Sequence, residues 1–115
     1  LFREDDKKIA FITDCEHYDG RDELLIPFID GADVLIHDTM YTEAEYNDPD
    51  RPRKGWGHST VAQGIKLARK ANVKRLVCTH HEPGHTDEFL DRHFEQARKE
   101  FSALTGAREG MVLEV

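Results

Sequence analysis

The chain has 115 residues, 38% of them hydrophobic, with a formal net charge of −7 at pH 7; that is apolar material for one core and one domain, not for a disordered tail. No apolar run approaches the ~20 residues that span a bilayer, and the opening LFREDDKK lacks the apolar stretch of a secretory signal. The balance of 23 acidic against 16 basic residues weighs against nonspecific binding to nucleic acid or anionic membrane, and two cysteines without zinc-finger or C-x-x-C spacing read as reduced thiols of a cytoplasmic protein.

Residues 1–3 read as a short edge strand and residues 4–8 as a polar turn. Residues 9–13 form a short β-prone apolar run, a buried strand that stops at Asp14. A polar loop follows. Asp22 is positioned as the N-cap of a short helix carrying Leu24, Leu25, Phe28 and Ile29, distorted by Pro27 and stopped by Gly31. Residues 32–36 are a second buried strand, ending at His37 and Asp38. Thr42 caps one or two helical turns through Tyr46, and residues 47–57 form a loop rich in proline, glycine and basic residues.

Ser59 reads as the cap of the next helix, with Val61, Ile65 and Ala68 as its inward stripe. Gly64 in its middle costs about 1 kcal/mol against alanine, so a close packing contact is expected there. Residues 76–79 are a third buried strand, ending at His80 and His81. Thr86 caps the longest helix, with Leu90, Phe94, Ala97, Phe101 and Leu104 on one face and Gly106 as its stop. Residues 111–115 read as a last strand. The alternation of strand and helix implies an α/β layer with a largely parallel sheet.

Asp14, His37–Asp38 and His80–His81 all stand at strand ends, and His58 just before a helix. In open α/β sheets ligands bind beyond the carboxyl ends of the strands. Imidazole with carboxylate suits zinc, manganese or iron. Taken singly, each residue has a bland reading: an aspartate after a strand is a turn residue, a histidine there a hydrogen-bonded core residue. His17 reads as a loop residue with no clear role, His85 as a loop residue that, with His81, Glu82 and Asp87, could support the site or contact substrate, and His93 as an exposed helix-surface residue.

Four segments occur in order: Ile12-Thr13-Asp14, Val34-Leu35-Ile36-His37-Asp38-Thr39-Met40, Gly57-His58-Ser59-Thr60 and Leu76-Val77-Cys78-Thr79-His80-His81-Glu82-Pro83. With the closing Glu109-Gly110-Met111 they resemble the C-terminal half of a metallo-β-lactamase-fold hydrolase of the ribonuclease Z-like branch. The resemblance implies an α/β fold: half of an αββα sandwich, a mixed sheet with helices on one face, in which residues 1–115 form a single partial domain. It implies Asp14 as a ligand bridging two divalent metal ions, zinc before manganese or iron, and His80 as a terminal ligand. It implies proton transfer by His58, with Asp38 as the carboxylate that supports its imidazolium. Trp56 and His81 are the candidate substrate contacts.

The resemblance is incomplete. The family's His-x-His-x-Asp-His motif, which supplies most metal ligands, is absent from these residues. The expected activity is therefore hydrolysis of an ester or phosphodiester by a complete protein, with this chain inactive and binding metal poorly or not at all by itself. The substrate class expected from charge is a small ester or phosphodiester, with nucleic acid disfavoured. The open sheet face and edge predict a dimer or pairing with an N-terminal half. The alternative is a noncatalytic binding or assembly module on the same fold. A response-regulator-like domain ranks below both, because the late strand ends in histidines where that fold places a lysine.

Overall fold

The computed structural model describes residues 1–115. The elements in chain order are β1 (Phe2–Glu4), β2 (Lys7–Ile12), α1 (Arg21–Ile29), β3 (Val34–Asp38), α2 (Glu43–Tyr46), α3 (Val61–Lys70), β4 (Leu76–Thr79), α4 (Asp87–Arg98) and β5 (Leu104–Gly106). The five strands form one sheet in sequence order. β1 pairs antiparallel with β2, and every later pair is parallel. Right-handed crossovers that always step in the same direction deposit their helices on one side of the sheet. A mixed sheet with helices on one face results.

That face holds the core. Ala10, Ile12, Leu35, Leu76, Cys78 and Leu104 project from the strands and meet Ile29, Ile65, Leu67 and Phe94 from the helices. Strand side chains alternate in direction, so the residues between them face the opposite way. There Phe2 is 55% and Phe11 56% exposed, while Val34 and Val77 are buried: the helix-free face is apolar, and open along β1 and β2.

Two glycines let helices approach closely. A Cβ at Gly64 would sit 3.1 Å from the Thr39 methyl, and one at Gly106 would sit 2.4 Å from the Phe94 ring. The expected packing contact at Gly64 is thus present: α3 lies directly against the exit of β3.

Several local expectations are corrected. α1 is capped by the backbone of Gly20 in the left-handed region, without a side-chain cap. Asp22 instead turns its carboxylate to His17 and Lys70. Thr60, one residue beyond Ser59, caps α3 by accepting from the Gln63 amide. α4 ends at Arg98, and Leu104 leaves its predicted helical face to pair with Leu76 in β5. Gly106 is a strand residue, and residues 111–115 form no strand. His93 is half-buried between Phe89 and Phe94, and its Nε2 has no hydrogen-bond partner. Thr86 does cap α4, and Thr42 caps α2 with a reciprocal contact from Glu45.

Candidate functional site

The parallel strands β2, β3 and β4 are neighbours, so their carboxyl ends share one edge of the sheet. Asp14 follows β2, Asp38 closes β3, and His80 follows β4. His58 arrives from the opposite direction, on the loop that enters α3. A parallel bridge between Tyr41 and Thr60 draws that loop against the exit of β3. Nitrogen and oxygen donors of Asp14, Asp38, His58 and His80 lie within 4.8 Å of one another.

The four divide into two pairs by environment. Asp38 is completely buried. Its Oδ2 accepts from His58 Nδ1 at 2.7 Å and from the Cys15 amide at 3.3 Å, and its Oδ1 accepts from the Met40 amide at 3.1 Å. With three donors aimed at it, this carboxylate is committed to the protein. It also fixes the proton on His58 Nδ1, which leaves Nε2 as the working nitrogen. Asp14 and His80 are the exposed pair, with Asp14 Oδ1 3.0 Å from His80 Nδ1. The His80 ring stands edge-on to His58, with centroids 4.6 Å apart.

Asp14 and His80 also share an unusual backbone state. Their φ angles are 39° and 60°, in the left-handed region that non-glycine residues rarely occupy. Such conformations persist only where the surroundings over-determine them, and they concentrate at functional sites. Here each one turns a side chain over the end of its strand.

An exposed carboxylate and an exposed imidazole whose donor atoms lie 3.0 Å apart are a donor set that zinc, manganese or iron accepts. The residues therefore fit a divalent ion, with Asp14 and His80 as the free donors. Two donors leave further coordination positions to be filled from outside these residues.

Sequence reasoning missed one organising residue. Glu16 is only 2% exposed. Its carboxylate accepts from Tyr46 Oη at 2.7 Å, the Gly55 amide at 2.8 Å, the Gly57 amide at 2.9 Å and Tyr18 Oη at 3.1 Å. Burial by itself would raise its pKa, but these hydrogen bonds outweigh that and hold the carboxyl below its ordinary range. Glu16 thereby ties the segment carrying Asp14 to the loop carrying Trp56 and His58.

The other singled-out residues disperse. His37 is buried on the helix side of β3 and makes contacts with His17 and the Ile12 carbonyl, at 2.8 and 3.3 Å. His81 Nε2 donates to the Ala107 carbonyl at 2.9 Å, so this side chain is turned toward β5 and away from Asp14. It lines an open cleft of about 870 Å³ that runs from His80 to Arg98 and Arg108. His85 pairs with Glu45 and, with Glu82, makes a second group of adjacent donors. Trp56 stands 60% exposed on the loop before His58.

A family model described as "Beta-lactamase superfamily domain" matches residues 1–81. The chain belongs to this superfamily. Among curated members, a ribonuclease Z from Oceanobacillus iheyensis is 34% identical over 90 residues, covering 78% of this chain and 28% of that protein. A ribonuclease Z from Thermoplasma acidophilum is 37% identical over 109 residues, covering 95% of this chain and 32% of that protein. The metallo-beta-lactamase fold protein YhfI from Bacillus subtilis superposes with a TM-score of 0.68 at 23% identity, covering 92% of this chain and 39% of that chain. The short form of human tRNase Z gives 0.65 at 24% identity, over 94% and 33%. Both show the metallo-β-lactamase fold. The chain spans about a third of the length of the ribonuclease Z relatives it matches, so it covers a partial domain of the superfamily fold. None of its helices is long and apolar enough to cross a membrane.

Proposed function

We propose that these residues contribute part of the active site of a metal-dependent phosphodiesterase, acting on nucleic acid. The observation that carries this reading is the convergence of the exposed Asp14–His80 pair with His58 and its buried partner Asp38 at one sheet edge. The names of the curated relatives support an RNA substrate. The negative net charge argues the other way, but it averages over the whole surface and says little about one edge of the sheet.

Divalent ions held by Asp14 and His80, with zinc the foremost candidate, would supply Lewis acidity at a phosphoryl oxygen and lower the pKa of bound water. The chain's own residues handle the proton. Asp38 accepts from His58 Nδ1, and His58 Nε2 faces the reacting group and delivers a proton to the departing oxygen. The start of α3 disfavours a positive charge on His58; the Asp38 carboxylate at 2.7 Å offsets it. The remaining ligands come from outside these residues, and the open Phe2 and Phe11 face packs against that polypeptide or a second copy.

The test is metal content and RNA phosphodiesterase activity of the protein carrying these residues, with Asp14→Ala and His80→Ala. Both variants are expected to lose bound metal and activity together. Full activity in both overturns the assignment.

A further inference from the structure

We propose that the loop of residues 51–57 is a docking site for an unpaired nucleotide, with the base stacked on Trp56 and its phosphate on Arg53. This deepens the proposed function and rests on it for the reaction. Trp56 is the sole tryptophan of the sequence, and its indole is left 60% exposed beside the site. Tyr41 and Tyr46, by contrast, are buried at 4% and 7% exposure. Exposed indole in a loop of fixed shape is a surface that gains by being covered.

The loop's shape is fixed. Gly55 and Gly57 flank Trp56 with φ of 83° and 90°, a conformation that disfavours any side chain there. The amides of both glycines are held by the buried Glu16 carboxylate. The Arg53 amide donates to the Tyr46 carbonyl, and the Trp56 amide to the Arg53 carbonyl. The indole is thus presented on a backbone clamped on either side of it.

The charge is arranged to match. Residues 51–54 carry three cations and no acid. The molecule's ion pairs engage Lys7, Lys70, Lys74 and Arg108; Arg51, Arg53 and Lys54 stand outside them. The Arg53 guanidinium lies 4.9 Å from the Trp56 ring and 6.0 Å from the Tyr41 ring. Tyr41 in turn meets His58 edge-on, at 6.1 Å. An unbroken line of contacts therefore runs from Trp56 through Arg53 and Tyr41 to His58. A planar base on the indole with its phosphate on the guanidinium points the strand along this line toward the reacting bond. A base inside a duplex has both faces covered by its stacked neighbours, so the site selects single-stranded nucleic acid.

The experiment uses the protein carrying these residues, with divalent metal chelated so that binding is read without cleavage. A short labelled single-stranded RNA is titrated by fluorescence anisotropy, with the same sequence annealed to its complement as comparison. Trp56→Ala is expected to weaken single-strand binding by about 5- to 150-fold, the range for loss of one stacked base. Trp56→Phe recovers part of it. Arg53→Ala weakens binding and lowers the salt dependence by about one counterion. Thermal unfolding of each variant establishes that the fold is intact. Unchanged affinity in Trp56→Ala and Arg53→Ala, or equal affinity for the duplex, overturns the docking site. Cleavage assays after metal is restored separate the two claims. A wild type that cleaves RNA with binding indifferent to Trp56 sinks the docking site alone. Trp56-dependent binding without any Asp14- and His80-dependent cleavage sinks the proposed reaction alone.

Discussion

At the scale of single residues, the site is a division of labour among like groups, set by burial. Asp14 and Asp38 are both aspartates at strand exits, but one is exposed and the other receives three hydrogen bonds in the interior. Asp38→Asn keeps the volume while removing the charge and turning an amide toward His58. It is expected to lower hydrolysis by about 10²- to 10⁴-fold, the usual worth of positioned proton transfer. Retention of metal by the variant separates this from ligand loss. Asp14, Asp38 and His80 were legible as candidates because strand ends locate them, and His58 because it stands before a helix; their proposed roles came from the family resemblance. Glu16 was not legible, because its partners Tyr46, Gly55 and Gly57 lie 30 to 41 residues away. Nothing local distinguishes it from any loop glutamate. Glu16→Ala leaves buried donors without an acceptor, at roughly 1–3 kcal/mol for each one that water cannot reach. Glu16→Gln retains one acceptor oxygen but turns its amide on donors. Both variants are expected to lower the urea midpoint. A midpoint unchanged in both would remove Glu16 from its place as the tie between the two loops.

At the scale of elements, the alternation of strand and helix was readable from apolar runs and capping residues, and the end of the chain was misread for a physical reason. Leu104 falls three residues after Phe101 and continues the apolar spacing of α4. Periodicity cannot separate that spacing from a return into the sheet, where Leu104 meets Leu76. Gly106 then looks like a helix stop, whereas its hydrogen-only side chain admits the Phe94 ring. The distinction is measurable. Gly106→Ala places a methyl group inside the van der Waals envelope of a 5%-exposed aromatic ring. Overpacking of this kind costs about 1–3 kcal/mol. The expected outcome is a lower thermal midpoint that Phe94→Leu partly relieves in the double variant, a coupling that two independent sites would lack. Strict additivity would show that the strand and α4 do not meet there.

At the scale of the whole molecule, the seven histidines divide by position into one metal-ligand candidate, one proton-transfer candidate and five others; one of those five makes the fold sensitive to acid. His37 lies between the sheet and the helices, fully buried. Its Nε2 is 2.8 Å from His17 Nε2, and His17 Nδ1 is 2.7 Å from Asp22 Oδ1. His37 Nδ1–H donates to the Ile12 carbonyl, which leaves His37 Nε2 as the acceptor facing His17. A proton on His37 Nε2 would confront that of His17. Burial first, and the neighbouring His17 second, push the His37 pKa down to about 4 from an ordinary 6.5. Burial lowers His93 as well. Between pH 6.5 and 4 the unfolded chain therefore binds protons that the folded chain refuses, so stability falls as pH falls. For His37 the full span is about 3 kcal/mol, a substantial part of the stability of a small domain. Asp22, lowered by His17 and Lys70 against its own burial, adds its loss only once pH drops through the carboxylate range. The urea midpoint should thus decline steadily from pH 6.5 to 4 in the wild type. His37→Gln, which offers no titrating ring, should show a shallower decline over that interval even if its stability at pH 7 is reduced. An equal slope in both proteins would place the acid sensitivity outside the His17–His37 pair.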